Sequence, residues 1–159
     1  MSDVDPDALD LTLASLFAGQ ALNEEIRRRI EARGFAGLRF GHGFVVQRLV
    51  AGAQPVGALA RDLGVTQQAV SKTVAELERL GYAERRPGPG DARVRLVGLT
   101  ERGAAAVEAA RAARAEVVAE LRARLGPRRV DAAARVLREV IELHGGGAQV
   151  RARRVRPPR

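Results

Sequence analysis

Lys72 is the one lysine among 27 basic side chains, and it shares a polar stretch with Gln67, Gln68 and Ser71 inside VTQQAVSKTVAELERLGYAER, residues 65 to 85. On a helix, positions 67, 68, 71 and 72 fall on one face. Their chemistry is amide, hydroxyl and ammonium, with nothing apolar among them. Such a set is suited to base edges: glutamine pairs with adenine, lysine with guanine or phosphate, and a helix fits the DNA major groove. The helix N-terminus, opened by Thr66, adds its own attraction for phosphate. A solvated face on any two-helix corner would have the same composition, so the surrounding elements must decide between the two.

Upstream, PVGALARDLG predicts a short helix with Pro55 in its first turn and Val56, Leu59, Ala60 and Leu63 inward. Gly64 stops it, Val65 plugs the corner and Thr66 caps the next helix. From 66 to 80 the set Ala69, Val70, Val74, Leu77 and Leu80 makes one buried stripe, with Ala69 placed near Ala60 for a close helix crossing. Downstream, Gly81 ends the helix and a strand is expected from Tyr82 to Arg86. The turn-rich PGPGD follows, and ARVRLV alternates Arg93 and Arg95 against Val94 and Leu96 in a second strand. A helix-turn-helix followed at once by a hairpin with a basic tip is a winged helix, and Arg93 at that tip suits a narrow minor groove. The expected DNA-contacting set is therefore Thr66, Gln67, Gln68, Ser71, Lys72, Arg93 and Arg95.

ALARDLGVTQQAVSKTVAELERLGYAER followed by GDARVRLVGLTERG resembles the MarR family of bacterial transcriptional regulators. The likeness includes the Asp-x-Arg of the wing (Asp91, Arg93) and the Leu-Thr-x-x-Gly that starts the next helix (Leu99, Thr100, Gly103). It covers roughly residues 7 to 144. It implies a mainly α fold with a winged helix-turn-helix core and a small β-hairpin wing, flanked by N- and C-terminal dimerisation helices. It also implies a homodimer that binds a pseudo-palindromic double-stranded DNA operator, and in many relatives a small aromatic or phenolic effector that releases DNA.

The flanking segments carry their own signals. Residues 7 to 33 predict a helix with stripes Leu9, Leu13, Leu16, Phe17 and Leu22, Ile26, Ile30, offset near Gly19, with Asp5 and Asp7 favouring its start. RGFAGLRFGHG, residues 33 to 43, reads as a glycine-punctuated loop before a short buried helix in FVVQRLV. Residues 100 to 124 predict a long helix capped by Thr100, in which ten of the twenty residues from 104 to 123 are alanine. Its stripe Val107, Ala110, Val118, Leu121 and Leu125 needs a partner, and a last helix is expected to turn Val130, Leu137, Val140 and Ile141 inward. These two helices could pack within one chain or across a two-fold axis. The organisation expected is an acidic flexible start (1–6), an N-terminal helical part (7–34), the winged core (35–99), C-terminal dimerisation helices (100–144) and a basic disordered tail (145–159).

Composition narrows the function classes. The net charge is +8, but five arginines in the last fifteen residues leave +3 on residues 1 to 144, so total charge alone decides little. There is no cysteine, which removes disulfides, thiolate metal sites and thiol redox sensing. The only histidines are His42 and His144, and no phosphate loop, dinucleotide fingerprint or nucleophile elbow is present, so neither an enzyme nor a cofactor or metal is expected. No apolar run reaches a membrane span and the start is acidic, which favours a soluble cytoplasmic protein without a membrane partner. Four of the five aromatic residues lie between 17 and 44, making Phe17, Phe40, His42 and Phe44 candidate walls of an effector pocket. His42 is also a candidate helix cap. A non-specific architectural DNA-binding protein is the alternative that the basic tail suggests.

Overall fold

The computed structural model describes residues 9–88, 95–144 and 146–147. Six helices and three strands alternate as α1 (Leu11–Ala32), α2 (Phe40–Leu49), β1 (Gln54–Pro55), α3 (Val56–Leu63), α4 (Gln67–Arg79), β2 (Ala83–Pro87), β3 (Arg95–Leu99), α5 (Glu101–Leu125) and α6 (Pro127–Leu143). The sheet is antiparallel in the order β1-β3-β2. Helices α2, α3 and α4 pack on one another and on the sheet, while α1 lies along α5 and α6 folds back on α5. The architecture is a winged helix-turn-helix carried on long flanking helices.

The core belongs to the winged part. Leu59, Leu77, Val70, Val74, Val97 and Tyr82 are fully enclosed, joined by Val45, Leu49, Leu63 and Ala106. Of these, Leu59 and Leu63 on α3 and Val70, Val74 and Leu77 on α4 are the residues that a 3.6-residue period places inward. The turn between those helices forms as its residues dictate: Gly64 takes a left-handed φ of 67° and closes α3, and the Thr66 hydroxyl accepts the Ala69 amide at 3.1 Å to open α4.

Tyr82 ties the layers together. Its hydroxyl donates to the Ala36 carbonyl at 2.8 Å, and its ring and that of Phe35 both receive the Arg102 guanidinium, at 5.0 and 5.6 Å from the ring centres. Thr100 caps α5 by accepting the Gly103 amide at 3.0 Å and donates to the Gly81 carbonyl at 2.6 Å. The first turn of α5 is thereby fixed to the start of β2.

Several expectations from sequence need correcting. Helix α1 begins at Leu11, because the Asp10 carboxylate caps the amides of Thr12 and Leu13, each at 2.9 Å; Asp5 and Asp7 lie outside the described residues. Helix α2 begins at Phe40, so Gly41 and Gly43 are helical and not loop. The His42 ring caps that start, its Nδ1 accepting the Arg39 amide at 3.2 Å. Pro55 does not enter the first turn of α3 but precedes it, in a two-residue strand pairing Gln54 with Val97 and Pro55 with Leu96. The wing strands run to Pro87 and from Arg95 to Leu99. The residues expected to form the turn between them, 89–94 with Asp91 and Arg93, lie outside the described residues, as do 1–8, 145 and 148–159 of the expected termini.

Three burial assignments also change. Ala69 is exposed and does not meet Ala60; the close approach of α3 to α4 instead lays the Gln67 amide over Gly57. On α5 the buried stripe is Ala106, Val107, Ala109, Ala113 and Val117, small residues that let α1 come near, whereas Val118 and Leu125 face outward. Helix α6 buries no residue, and its Leu137 and Ile141 are open to solvent.

Candidate nucleic-acid interface and adjoining cavity

The polar face of α4 stands clear of the protein. Thr66, Gln67, Gln68 and Lys72 are exposed and Ser71 is half-buried at the edge of the stripe, while Val70, Val74 and Leu77 seat the opposite side in the core. The exposed Thr66, Gln67, Gln68 and Lys72 thus lie at the N-terminal part of a rigid element, the arrangement a major groove accepts. Gln67 and Gln68 differ in setting. Gln67 leans over Gly57 of α3, and Gln68 is exposed. Arg95 is exposed at the start of β3. Arg93 lies outside the described residues.

Basic side chains that the sequence reading did not select are also exposed on these helices, Arg61 on α3 and Arg79 at the end of α4. Arg85 of β2 is drawn back to Glu78 of α4 at 2.8 Å, which secures the wing base against the helix. Arg61 carries no sequence signal beyond its charge, since any surface arginine on a helix-turn-helix would look the same.

A cavity of about 650 Å³ lies behind α4, between α1, α2 and α5. Phe40, His42 and Phe44 line it, with Phe40 and Phe44 edge-to-face at 5.1 Å. Phe17 does not. It sits half-exposed farther toward the start of α1, outside the cavity lining, so the structure separates it from the other three. Ile26 and Ile30 of α1 and Val107 of α5 complete the apolar wall. The spacing of Ile26 and Ile30 was visible in sequence as a stripe, but nothing local said that it bounded a space.

His42 serves the helix start and the cavity together. Its ring is buried; Nδ1 accepts the Arg39 amide, so Nε2 carries the hydrogen and donates it to Glu76 Oε2 on α4 at 3.0 Å. The Arg39 guanidinium reaches the same carboxylate. These two bonds, first that from His42 and then that from Arg39, hold the Glu76 carboxyl down at about 2 from its ordinary 4.5. A carboxyl depressed in the folded state contributes stability that is complete above its ordinary value and is lost as pH falls through the folded one. Between pH 4.5 and about 2, melting temperature is therefore expected to fall less steeply for Glu76→Gln than for the parent chain. Parallel thermal melts across that window check it, and equal slopes would contradict it. Among the described residues no cluster of ligating side chains could hold a metal ion, and no helix is long and apolar enough to cross a membrane.

Comparison with known proteins agrees with this architecture. Residues 45–94, from within α2 to the segment after β2, match the MarR family model. A helix-turn-helix-type transcriptional regulator of Mycobacterium tuberculosis is 42% identical over 69 residues, which cover 43% of this chain and 48% of that protein. The match thus spans about half the length of the curated relatives. Among solved structures, the YusO protein of Bacillus subtilis superposes with a TM-score of 0.66 at 22% identity, over 89% of this chain and 99% of that one. A mutant of MepR from S. aureus bound to an oligodeoxyribonucleotide superposes with a TM-score of 0.61 at 19% identity, over 84% and 97%. These likenesses, at such identities, speak for the fold; the family match falls on residues 45–94, which hold the helix-turn-helix and β2, and there the chain is similar to the MarR family.

Proposed function

We propose that the protein is a sequence-specific regulator of transcription that binds double-stranded DNA as a homodimer, most simply as a repressor. The observation that carries this reading is the face of α4, where Gln68 and Lys72 stand outward with half-buried Ser71 between them, near the N-terminal end of a helix whose other side is locked in the core. The MepR mutant with its bound oligodeoxyribonucleotide shares the fold. Dimerisation is supported by apolar side chains left open on α1, α5 and α6, among them Leu16, Phe17, Val118 and Leu137. A two-fold axis through these helices would present two α4 helices to one side of DNA, about 34 Å apart, and so would select an inverted repeat. The cavity of about 650 Å³ would then hold a small aromatic or phenolic effector between the DNA-binding core and the dimer helices.

Sequencing DNA fragments retained by the purified protein tests this reading, and an enriched inverted repeat is the expected outcome. An architectural binder would enrich none. Within the repeat, Gln68→Ala is expected to flatten base preference at one position per half-site by about 1 to 3 kcal/mol. Unchanged selectivity in that variant would move base reading off this face of α4.

A further inference from the structure

The chain enters the winged core from the flanking helices between α1 and α2 and leaves it between β3 and α5. Both crossings meet at one side chain. Arg102, the second residue of α5, donates from Nη2 to the Gly34 carbonyl just past α1 at 2.9 Å and to the Tyr82 hydroxyl at 3.4 Å. Its guanidinium stands over the rings of Phe35 and Tyr82, while the Tyr82 hydroxyl donates onward to the Ala36 carbonyl. Its stem passes Gly81, where an added Cβ would lie 3.6 Å from Cδ, at the point where α4 hands the chain to β2. Arg102 is itself exposed, so none of these contacts is needed to fill the core. Farther along α5, near Ala110 and Arg114, the cavity of about 650 Å³ stands between the two parts. The angle between flanking helices and core is therefore left to the contacts at this end.

We propose that Arg102 is a positioning residue that braces the hinge between the flanking helices and the winged core, and so sets the distance between half-sites that the protein accepts in DNA. The inference rests on the reading of this protein as a homodimeric, sequence-specific regulator and adds to it a determinant of spacing that touches no base. Two neighbouring covalent crossings leave the core one easy rotation, about the line that joins them. A guanidinium is planar and offers its donors in a fixed fork, so stacking on two rings while bonding two oxygens from different segments opposes that rotation in a way a single bond would not. The lever is long. Helix α4 has 13 residues and begins, at the end away from Gly81, with Gln67, so its reading end lies roughly 20 Å from the brace by helical rise. A rotation of about 5° in each protomer then changes the separation of the two reading ends by roughly 3.5 Å, one base-pair step. Arg102 lies beyond the C-terminal end of α4, away from Gln67, Gln68 and Lys72, so base preference within a half-site is outside its reach.

The test separates spacing from base reading, on the full chain. A half-site selected by the parent protein is built into inverted repeats whose spacer is lengthened or shortened by one base pair, and each is titrated by fluorescence anisotropy. The parent should lose about tenfold in affinity on either change and Arg102→Ala only about threefold, some loss remaining because each added base pair also turns a half-site by about 34° around the duplex. Base preference at every position of the half-site should be the same in both proteins. Arg102→Lys keeps the charge but cannot hold both oxygens from a stacked plane, so it should fall between the two, and it guards against misreading a poorly folded variant. The angle itself is read without DNA. The chain has no cysteine, so Ala75→Cys on α4 and Ala112→Cys on α5, both at exposed positions, can carry one spin label each in chains diluted with unlabelled protein. The separation of the labels should be narrowly distributed with Arg102 in place and broadened in Arg102→Ala. The proposal is overturned if both variants keep the parent's spacing preference, if base preference flattens along with spacing, or if the label separation keeps its parent width. Were no DNA fragment selected at all, or the chain found monomeric, the regulator reading would fall, yet the label separation would still decide whether Arg102 braces the core.

Discussion

Gly103→Ala is expected to destabilise the protein by about 3 kcal/mol or more, the upper end of what overpacking costs. A Cβ at this position would lie 2.0 Å from the Tyr82 carbonyl oxygen and 3.0 Å from its carbonyl carbon. Neither is the tip of a side chain that can swing away. The Tyr82 carbonyl accepts the Thr100 amide at 3.2 Å, and Tyr82 itself is enclosed, with its hydroxyl bonded to Ala36. Relief would require the first turn of α5 to lift from β2, breaking the Thr100 cap and parting the flanking helices from the winged core. Gly19→Ala is the control. That glycine lies inside α1 with nothing within 4 Å of an added Cβ, so the same chemical change should stabilise by about 0.5 to 1 kcal/mol. Urea denaturation of the two variants reads both signs. Equal effects would show that the contact at Gly103 does not exist in solution.

The second large effect concerns assembly. Leu137→Glu should leave the single chain folded, because α6 buries no residue within it, and yet should weaken the dimer by roughly 2 to 4 kcal/mol, or about 30- to 1000-fold in Kd. The effect is doubled by symmetry, since a change at a two-fold interface occurs once on each side. Sedimentation at micromolar concentration should give the parent chain at twice its 17.0 kDa and the variant near one chain, with unchanged helical circular dichroism. A parent that sediments as a single chain would reject the dimer. A variant that stays dimeric would move the interface off α6.

Sequence alone revealed the elements whose signals are local. Gly64 and Thr66 announce the turn between α3 and α4, and the period of Val70, Val74 and Leu77 separates the seated side of α4 from the polar one. The strand β1 escaped because two residues, one of them proline, have no propensity to display; they are a strand only because β3 comes back to meet them. The start of α2 escaped because glycines at 41 and 43 mimic a loop, while the bond that overrides them needs His42 three residues on. On α5 the eye follows Val118 and Leu125, yet the chain buries alanines, since close approach by α1 rewards small side chains over large ones. The cavity was half legible. Ring residues cluster in sequence, but Phe17 and Phe40 lie on different helices, and only the packing of α1 on α5 determines which of them meets the enclosed space. Glu76 gave no sign at all. Between Val74 and Leu77 it reads as an ordinary solvated acid, and its partners come from an element more than thirty positions earlier.

The three-stranded sheet is guarded on both of its open sides. β3 is central; β1 is two residues long and ends in Pro55, which has no amide hydrogen to offer, and β2 carries Arg85, Arg86 and Pro87 along the opposite margin. A strand from a neighbouring molecule would find too short a template on one side and repelling charge on the other. Several copies crowded on adjacent stretches of one polymer can therefore sit shoulder to shoulder without zipping into ribbons, and adhesion between them is left to their helices.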